Sequence, residues 1–369
     1  MLQTDCVGRE LSEEQLNENN PKKRKFESSL PQHESAIENR DELRNELISK
    51  HPPLLVLYRD ADVLVIDKPS NLRIYASQHY SQATVELLVK HQFPELFTQN
   101  KSLSTSENKK RKFNKSDERK IRFAHRLDMA TSGILCMCLT KQSCASLSNS
   151  FEQKNSQKYY LAMVWGHITK DDLINNLKMD HINPETECFA IQSFIGRDDS
   201  SNADGTDEDY DPTGRGYLMK QVLNLSEVTF NSNLHYATKE ERQQHNFREA
   251  STECRLLSYG TFQGREVSKI LLKPLTGRKH QLRLHMKLIG HSIVGDQSYS
   301  NNDVNPDRMM LHAFHLVIPI TKEYLSNSRS TDISTSHEPR ILSIQTKDPF
   351  QPLMMETKVF AQPSTIFGN

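Results

Sequence analysis

Residues 123–133, Phe123-Ala124-His125-Arg126-Leu127-Asp128-Met129-Ala130-Thr131-Ser132-Gly133, set a guanidinium and a carboxylate one residue apart in a short polar stretch. A free aspartate titrates near ~3.9, and a neighbouring cation holds it ionised more firmly. Asp128 is therefore expected as a charged carboxylate with Arg126 close by, which is what a nucleophile or a general base requires. A structural ion pair has the same composition, so these residues alone leave both readings open. An apolar run, Ile134-Leu135-Cys136-Met137-Cys138-Leu139, follows at once. It predicts a buried strand over 133–139 that carries the polar loop at its edge.

A second polar cluster lies far downstream, at Leu275-Thr276-Gly277-Arg278-Lys279-His280-Gln281-Leu282-Arg283-Leu284-His285. Pro274 and Gly277 close a predicted strand. Lys279 to Leu288 is expected as a helix with Leu282, His285 and Leu288 inward. Arg278 then sits at the strand-to-helix turn, and Arg283 lies one turn inside. The free N–H groups of a helix start attract anions, so Arg278 and Lys279 suit a phosphate. Arg283 has the alternative of pairing with Asp128, if the fold brings the two segments together. His280 and His285 do not share a helix face and are expected to be structural, not metal ligands.

The stretch His125-Arg126-Leu127-Asp128 with Thr131-Ser132-Gly133 resembles the signature of the RluA-type pseudouridine synthases. Three further motifs of that family follow in its order. One is Phe151 with Lys158-Tyr159-Tyr160-Leu161-Ala162 and Gly166. The next is the cluster at 275–285 with Gly290-His291-Ser292-Ile293-Val294-Gly295-Asp296-Gln297-Ser298-Tyr299. The last is Leu311-His312-Ala313. The resemblance spans residues 55–320, and the wording around Phe93-Pro94-Glu95-Leu96 is most similar to the animal RNA pseudouridylate synthase domain-containing branch. It implies an α+β fold, with a mixed, mainly antiparallel sheet, flanking helices and a central RNA-binding cleft. It implies isomerisation of specific uridines to pseudouridine, with Asp128 as the catalytic carboxylate at the sugar or at the base ring. By the same resemblance Arg126 fills the space a flipped base vacates. Tyr160, with Tyr159 as its rival, stacks on the target base, and Arg278 or Arg283 keeps Asp128 ionised. One departure is visible: where the family has Lys-Pro-x-Gly followed by His, this chain has Lys68-Pro69-Ser70-Asn71 and no His close behind.

Such a reaction breaks the base–sugar bond and rejoins the base through carbon, with no redox change. Extruding the base costs a few kcal/mol, and stacking on an aromatic ring returns roughly 1–3 kcal/mol. No cofactor is expected, since both nucleotide-binding glycine motifs are missing. None of the six cysteines forms a C-x-x-C pair, so no metal is expected either.

The elements that must position these groups are unevenly legible. The chain has 369 residues, 36% hydrophobic and 25% charged, which predicts polar segments diluting an ordinary core. A net charge of zero argues against bulk-charge coating of nucleic acid and leaves room for a local basic groove. No apolar run reaches the ~18 residues of a membrane span. Residues 1–50 are expected as a disordered charged tail with a short helix near Glu42 to Ile48, residues 51–350 as the catalytic domain, and 351–369 as a C-terminal tail. Strands are expected at Leu54 to Tyr58, Val63 to Ile66, Tyr159 to Trp165, Gly216 to Leu225, Ala250 to Leu257, Val267 to Leu272, Leu311 to Ile318 and Ile341 to Ile344. The strand at 159–165 should alternate around Tyr160, Ala162 and Val164. Helices are expected at Thr84 to Phe93 and at Lys141 to Lys154, the latter with Ala145, Leu147 and Phe151 partly buried. A basic insertion occupies 101–122 and an acidic one 198–216, and residues 167–250 otherwise carry little pattern.

Two rival functions are weighed. A catalytically idle RNA-binding scaffold would not need Asp128, Arg126 and Tyr160 intact. A kinase is resembled faintly by His125-Arg126-Leu127-Asp128 but lacks Asp-Phe-Gly, the Gly-rich loop and the downstream Asn. The expected partner is RNA, whether transfer, ribosomal or messenger, with no membrane and a monomeric chain. Pro21-Lys22-Lys23-Arg24-Lys25 resembles a nuclear-import signal and equally a solvated basic patch, so the expected location is nuclear or cytoplasmic.

Overall fold

The computed structural model describes residues 45–75, 82–97, 121–177, 187–197, 218–224, 236–244, 246–300, 307–320 and 339–367. The expected import signal and both insertions, apart from residues 121–122 of the basic one, lie outside the described residues. Contacts divide the chain into residues 1–50 and 51–369. In the first unit, residues 45–49 are helical.

The second unit is built on one sheet with thirteen strands among the described residues. Strands β1 (Leu55–Arg59) and β2 (Val63–Lys68) form a hairpin. Its turn is set by the Asp60 carboxylate, which accepts the N–H groups of Asp62 (2.8 Å) and Val63 (2.7 Å). Beside β2 runs β4 (Ser132–Cys138), buried at every position as its unbroken apolar run predicts. The order continues through β11 (Leu311–Ile320), β5 (Gln157–Trp165), β10 (Arg265–Pro274), β9 (Arg248–Phe262), β6 (Cys188–Arg197), β7 (Met219–Asn224) and β8 (Tyr236–Ala237). Three more strands, β3 (Arg122–Phe123), β12 (Arg340–Gln345) and β13 (Met355–Val359), pair with β4, β11 and β9. Among the described strands only β4/β11 and β7/β8 run parallel. The architecture is the mixed, mainly antiparallel α+β sheet that was expected.

Helix α1 (Val85–Gln92) starts where Thr84 accepts the Leu87 N–H (3.2 Å), and it buries Val85, Leu88 and Val89. Its last residue, Gln92, clasps the backbone of Leu54 through both amide atoms (2.7 and 3.0 Å). Helix α2 (Lys141–Glu152) opens on a Thr140–Ser143 capping box. Its inward positions are Ser143, Ser146, Leu147 and Ser150, which leaves Ala145 exposed rather than partly buried. The remaining helices are α3 (Lys170–Leu177), α4 (Lys239–Gln244), α5 (Gln281–Leu288) and α6 (Pro363–Phe367). No helix among the described residues is long and apolar enough to cross a membrane.

Three expectations need correction. Along β5, Leu161, Ala162, Met163 and Val164 are all buried, because the centre of the sheet is covered on both faces and alternation is lost. Strand β6 was not foreseen: its inward row is Phe189, Ile191, Ser193 and Ile195, and the serine dilutes the apolar signal. Residues 351–369, expected as a tail, supply β13 against β9 and α6 against the core, where Phe367 meets the rings of Tyr159 and His315 at 4.5 Å.

The parallel contact of β4 with β11 is the tightest constraint in the sheet. Gly133 faces Ala313 with φ +108°, and a Cβ placed there would lie 2.2 Å from the Ala313 carbonyl oxygen. Overpacking against backbone cannot be relieved by a rotamer change, so Gly133→Ala should cost about 3 kcal/mol or more. Urea unfolding checks this; a variant within about 1 kcal/mol of the native chain would show that the two strands separate easily.

Candidate active site

The loop between β3 and β4 is held from below by buried polar groups. Lys68, fully buried at the end of β2, donates to the carbonyls of Pro69 (2.8 Å), Leu72 (2.9 Å) and Met129 (3.0 Å). Burial lowers its ammonium to about 7, opposed by the nearby charge of Asp128. Ser70 donates to the Ala130 carbonyl (2.6 Å), and the Thr131 N–H closes a turn on the Asp128 carbonyl (3.1 Å). His125 accepts the Cys136 N–H on Nε2 (2.8 Å) and packs its ring on Phe151 (4.9 Å). At the departure from the family pattern, Asn71 adopts φ +59°. That is the left-handed region which glycine occupies freely and asparagine tolerates, so the substitution leaves the turn intact. The Asn71 amide then donates to the Asp307 carbonyl (2.9 Å).

The first and fourth motifs interlock. Ser132 Oγ lies 2.8 Å from His312 Nδ1, and His312 Nε2 lies 2.6 Å from Thr346 Oγ1. Burial drops the His312 imidazole to about 3.

Asp128 is the open member of a charged cluster. Arg283 Nη1 stands 3.6 Å from its Oδ2, and His280 Nε2 stands 3.9 Å from the same oxygen. Arg283 is anchored elsewhere: its Nε and Nη2 fork onto the two carboxylate oxygens of Asp296, both at 2.7 Å. Asp296 also accepts the N–H groups of Ser298 (3.0 Å) and Tyr299 (3.1 Å), which makes the expected turn. The Arg283 and Asp296 side chains are only 8% and 1% exposed, against 32% for Asp128. Burial pushes the Asp128 carboxyl up, but His280, Arg283 and Lys279 pull it further down, and it lies below the ordinary aspartate value. Burial would lower the Arg283 pKa, but the hydrogen bonds it donates to Asp296 and the charges of Asp296 and Asp128 hold it firmly protonated.

Of the two candidate arginines, then, Arg283 reaches Asp128 and Arg278 does not. Arg278 donates its Nε to the Glu249 carbonyl (2.9 Å) and its N–H to Gln281 Oε1 (3.0 Å), at the rim of the strand-to-helix turn. Tyr160 sits on β5 between β10 and β11, close enough for the charge of Asp128 to add to burial in raising its hydroxyl. Tyr159 points to the other face, as strand alternation requires, and stacks on His315 (5.7 Å). Arg126 is exposed at the loop tip. His285 is structural as expected, held between Ser193 (3.0 Å) and Thr252 (2.9 Å). His280, expected to be structural, lies with its Nε2 3.9 Å from Asp128. Its three-residue spacing from Arg283, which puts both on one helix face, carried that signal. Asp296, Tyr299 and Lys68 also entered the sequence reading without a role at the site.

The family described as RNA pseudouridylate synthase matches residues 62–288. This chain belongs to that family. The synthase is 33% identical over 271 residues to RNA pseudouridylate synthase domain-containing protein 1 of Danio rerio, which covers 73% of this chain and 72% of that protein. It is 29% identical over 299 residues to the dual-specificity RNA pseudouridine synthase RluA of Haemophilus influenzae, covering 78% of this chain and 99% of that one. The solved structure of human RNA pseudouridylate synthase domain containing 1 has a TM-score of 0.55 at 26% identity, over 85% of this chain and 92% of that chain. The pseudouridine synthases are isomerases, so this chain is an enzyme of that class. The matched span contains β4, β5 and α5, and hence Asp128, Tyr160 and Arg283.

Two outcomes follow from this electrostatics. Arg283→Ala strands Asp296 as a buried unpaired carboxylate and should cost about 3–5 kcal/mol. In whatever folded fraction remains, Asp128 loses a cation and its pKa should rise; a carboxyl titration of Asp128 followed by NMR that is unmoved in the variant would contradict the pairing. Separately, His125, His285 and His312 are held near about 3 and His280 near about 4, all by burial. An unfolded histidine titrates near ~6.5. The unfolded chain therefore binds more protons between these values, and stability should fall as pH drops below ~6.5, by up to about 1.4 kcal/mol per pH unit for each histidine. A melting temperature that stays flat from pH 7 to pH 5 would contradict this.

Proposed function

We propose that this enzyme isomerises uridines within RNA, using Asp128 as its catalytic carboxylate, in a catalytic unit that extends through α6. The observation that carries the reading is an ionised, partly open carboxylate beside Tyr160, with Arg283 behind it and anchored by Asp296. Attack at the sugar and proton removal at the base ring both use the charged form of Asp128, and the surrounding cations maintain that form. Tyr160 supplies a ring on which an extruded uracil can stack, which offsets part of the cost of leaving the helix. The exposed Arg126 at the loop tip is suited to the space the base leaves. Arg278 and Lys279, at the start of α5, suit the phosphates on either side of it.

The RNA is transfer, ribosomal or messenger, and the location is nuclear or cytoplasmic, with residues 21–25 as an import signal in the first case. Chemistry of this kind draws on positioned side chains, and the reading calls for no cofactor. Comparing pseudouridine maps of total RNA from cells carrying the native chain and cells carrying Asp128→Asn tests the proposal. A defined set of sites should vanish with the variant and name the substrate. If no site changes while the variant folds and still binds RNA, the chain is an RNA-binding scaffold instead.

A further inference from the structure

We infer that His280 is a positioning residue for Asp128: held in one tautomer by Tyr299, it directs its Nε2–H at the Asp128 carboxylate. The inference rests on the reading of Asp128 given above and adds the group that orients it.

The chain of contacts begins at a backbone amide. The Met219 N–H on β7 donates to the Tyr299 hydroxyl oxygen (2.9 Å). That hydroxyl lies 2.8 Å from His280 Nδ1. We assign the phenol's own proton to this second contact, which makes Nδ1 the acceptor. The ring hydrogen is then on Nε2, and Nε2 is the atom that faces Asp128 Oδ2 at 3.9 Å. Such contacts are commonly long before substrate arrives, and a closure of about 1 Å makes this one a hydrogen bond.

Two further observations fit this assignment. His280 is buried and adopts φ +58°, a left-handed conformation that costs a non-glycine residue and persists only where its surroundings enforce it. That conformation places the ring at the first turn of α5, over the site. The groups facing it are Asp128, Arg283, Lys279, Asp296 and Tyr299. Burial keeps the imidazole neutral, near about 4, and lifts the Tyr299 phenol to about 12, so each holds the proton the relay assigns to it. Arg283 and His280 both approach Oδ2.

In the reaction the N1–C1′ bond breaks and C5–C1′ forms, N1 gains a proton and C5 loses its hydrogen. Tritium placed at uridine C5 is therefore released once per turnover. Its release is measured from C5-tritiated total RNA of cells lacking the enzyme, as a function of RNA concentration. His280→Ala should lower the saturating rate roughly tenfold or more, the worth of a hydrogen bond to a charged group, with half-saturation within about twofold. His280→Gln retains a donor at the Nε2 position and should restore most of the rate. Tyr299→Phe should slow the native enzyme but have no effect in the His280→Gln background, where no Nδ1 remains to be fixed; this pair carries the test should His280→Ala fail to fold. A saturating rate for His280→Ala equal to the native one overturns the inference. So does a Tyr299→Phe loss that is undiminished in the His280→Gln background. Asp128→Asn separates the two readings: if it stays active, the functional reading falls and this inference with it, whereas if it is inactive and His280→Ala is not, only the inference falls.

Discussion

The guanidinium of Arg283 is a buried charge, and the site depends on how that charge is satisfied. An unpaired cation there would cost several kcal/mol. The fork on Asp296 meets that demand at two 2.7 Å contacts, and Asp296 in turn takes the N–H groups of Ser298 and Tyr299. One carboxylate thus fixes a helix, a turn and an arginine rotamer together. The nitrogen left over, Nη1, is the one that reaches Asp128. Arg283 is therefore held by a partner sealed from water, and its attraction to the more open carboxylate does not have to organise it. The arrangement is pre-formed: Arg283 is set before anything reaches Asp128.

Asp128 is fixed independently, from the other half of the sheet. Its loop hangs from β4, and β4 is set against β11 by a contact so close that only a glycine fits at position 133. Lys68 adds three hydrogen bonds, one of them to Met129, the neighbour of Asp128. Tyr160 belongs to the third strand in this row, β5, whose partners are β11 and β10. The order β2-β4-β11-β5-β10 explains why motifs scattered from Lys68 to Ala313 are one site: each sits on a strand, or on a loop or helix leaving a strand, in a contiguous block of the sheet.

What the sequence made legible was whatever had a strong local pattern. The apolar run of β4 and the capped helices α1 and α2 needed no knowledge of their neighbours. Four ordered motifs identified the family, and with it the topology that periodicity could not supply. What stayed hidden depended on distant partners. Arg278 and Arg283 are five residues apart, and their distant partners differ: Arg278 donates to the Glu249 carbonyl and Arg283 to the buried Asp296. Lys68 reads as a strand-ending charge, yet it is buried because three carbonyls converge on it. Strand β13 has no apolar alternation, and it exists because β9 offers it a free edge.

The buried histidines bear on what charge the site carries. His125, His280, His285 and His312 all titrate near about 3 or about 4, so none changes state in the range where the enzyme is folded and near neutral pH. The cation nearest Asp128 is then Arg283, which its hydrogen bonds to Asp296 keep protonated. Lys68 is the exception: its ammonium, brought down to about 7, lies beneath the loop and within reach of the Asp128 field. Losing that proton removes a cation from under the carboxylate and weakens the three carbonyl contacts that hold Met129. Lys68 therefore bears on Asp128 through the backbone, since one of the three carbonyls its ammonium holds is that of Met129.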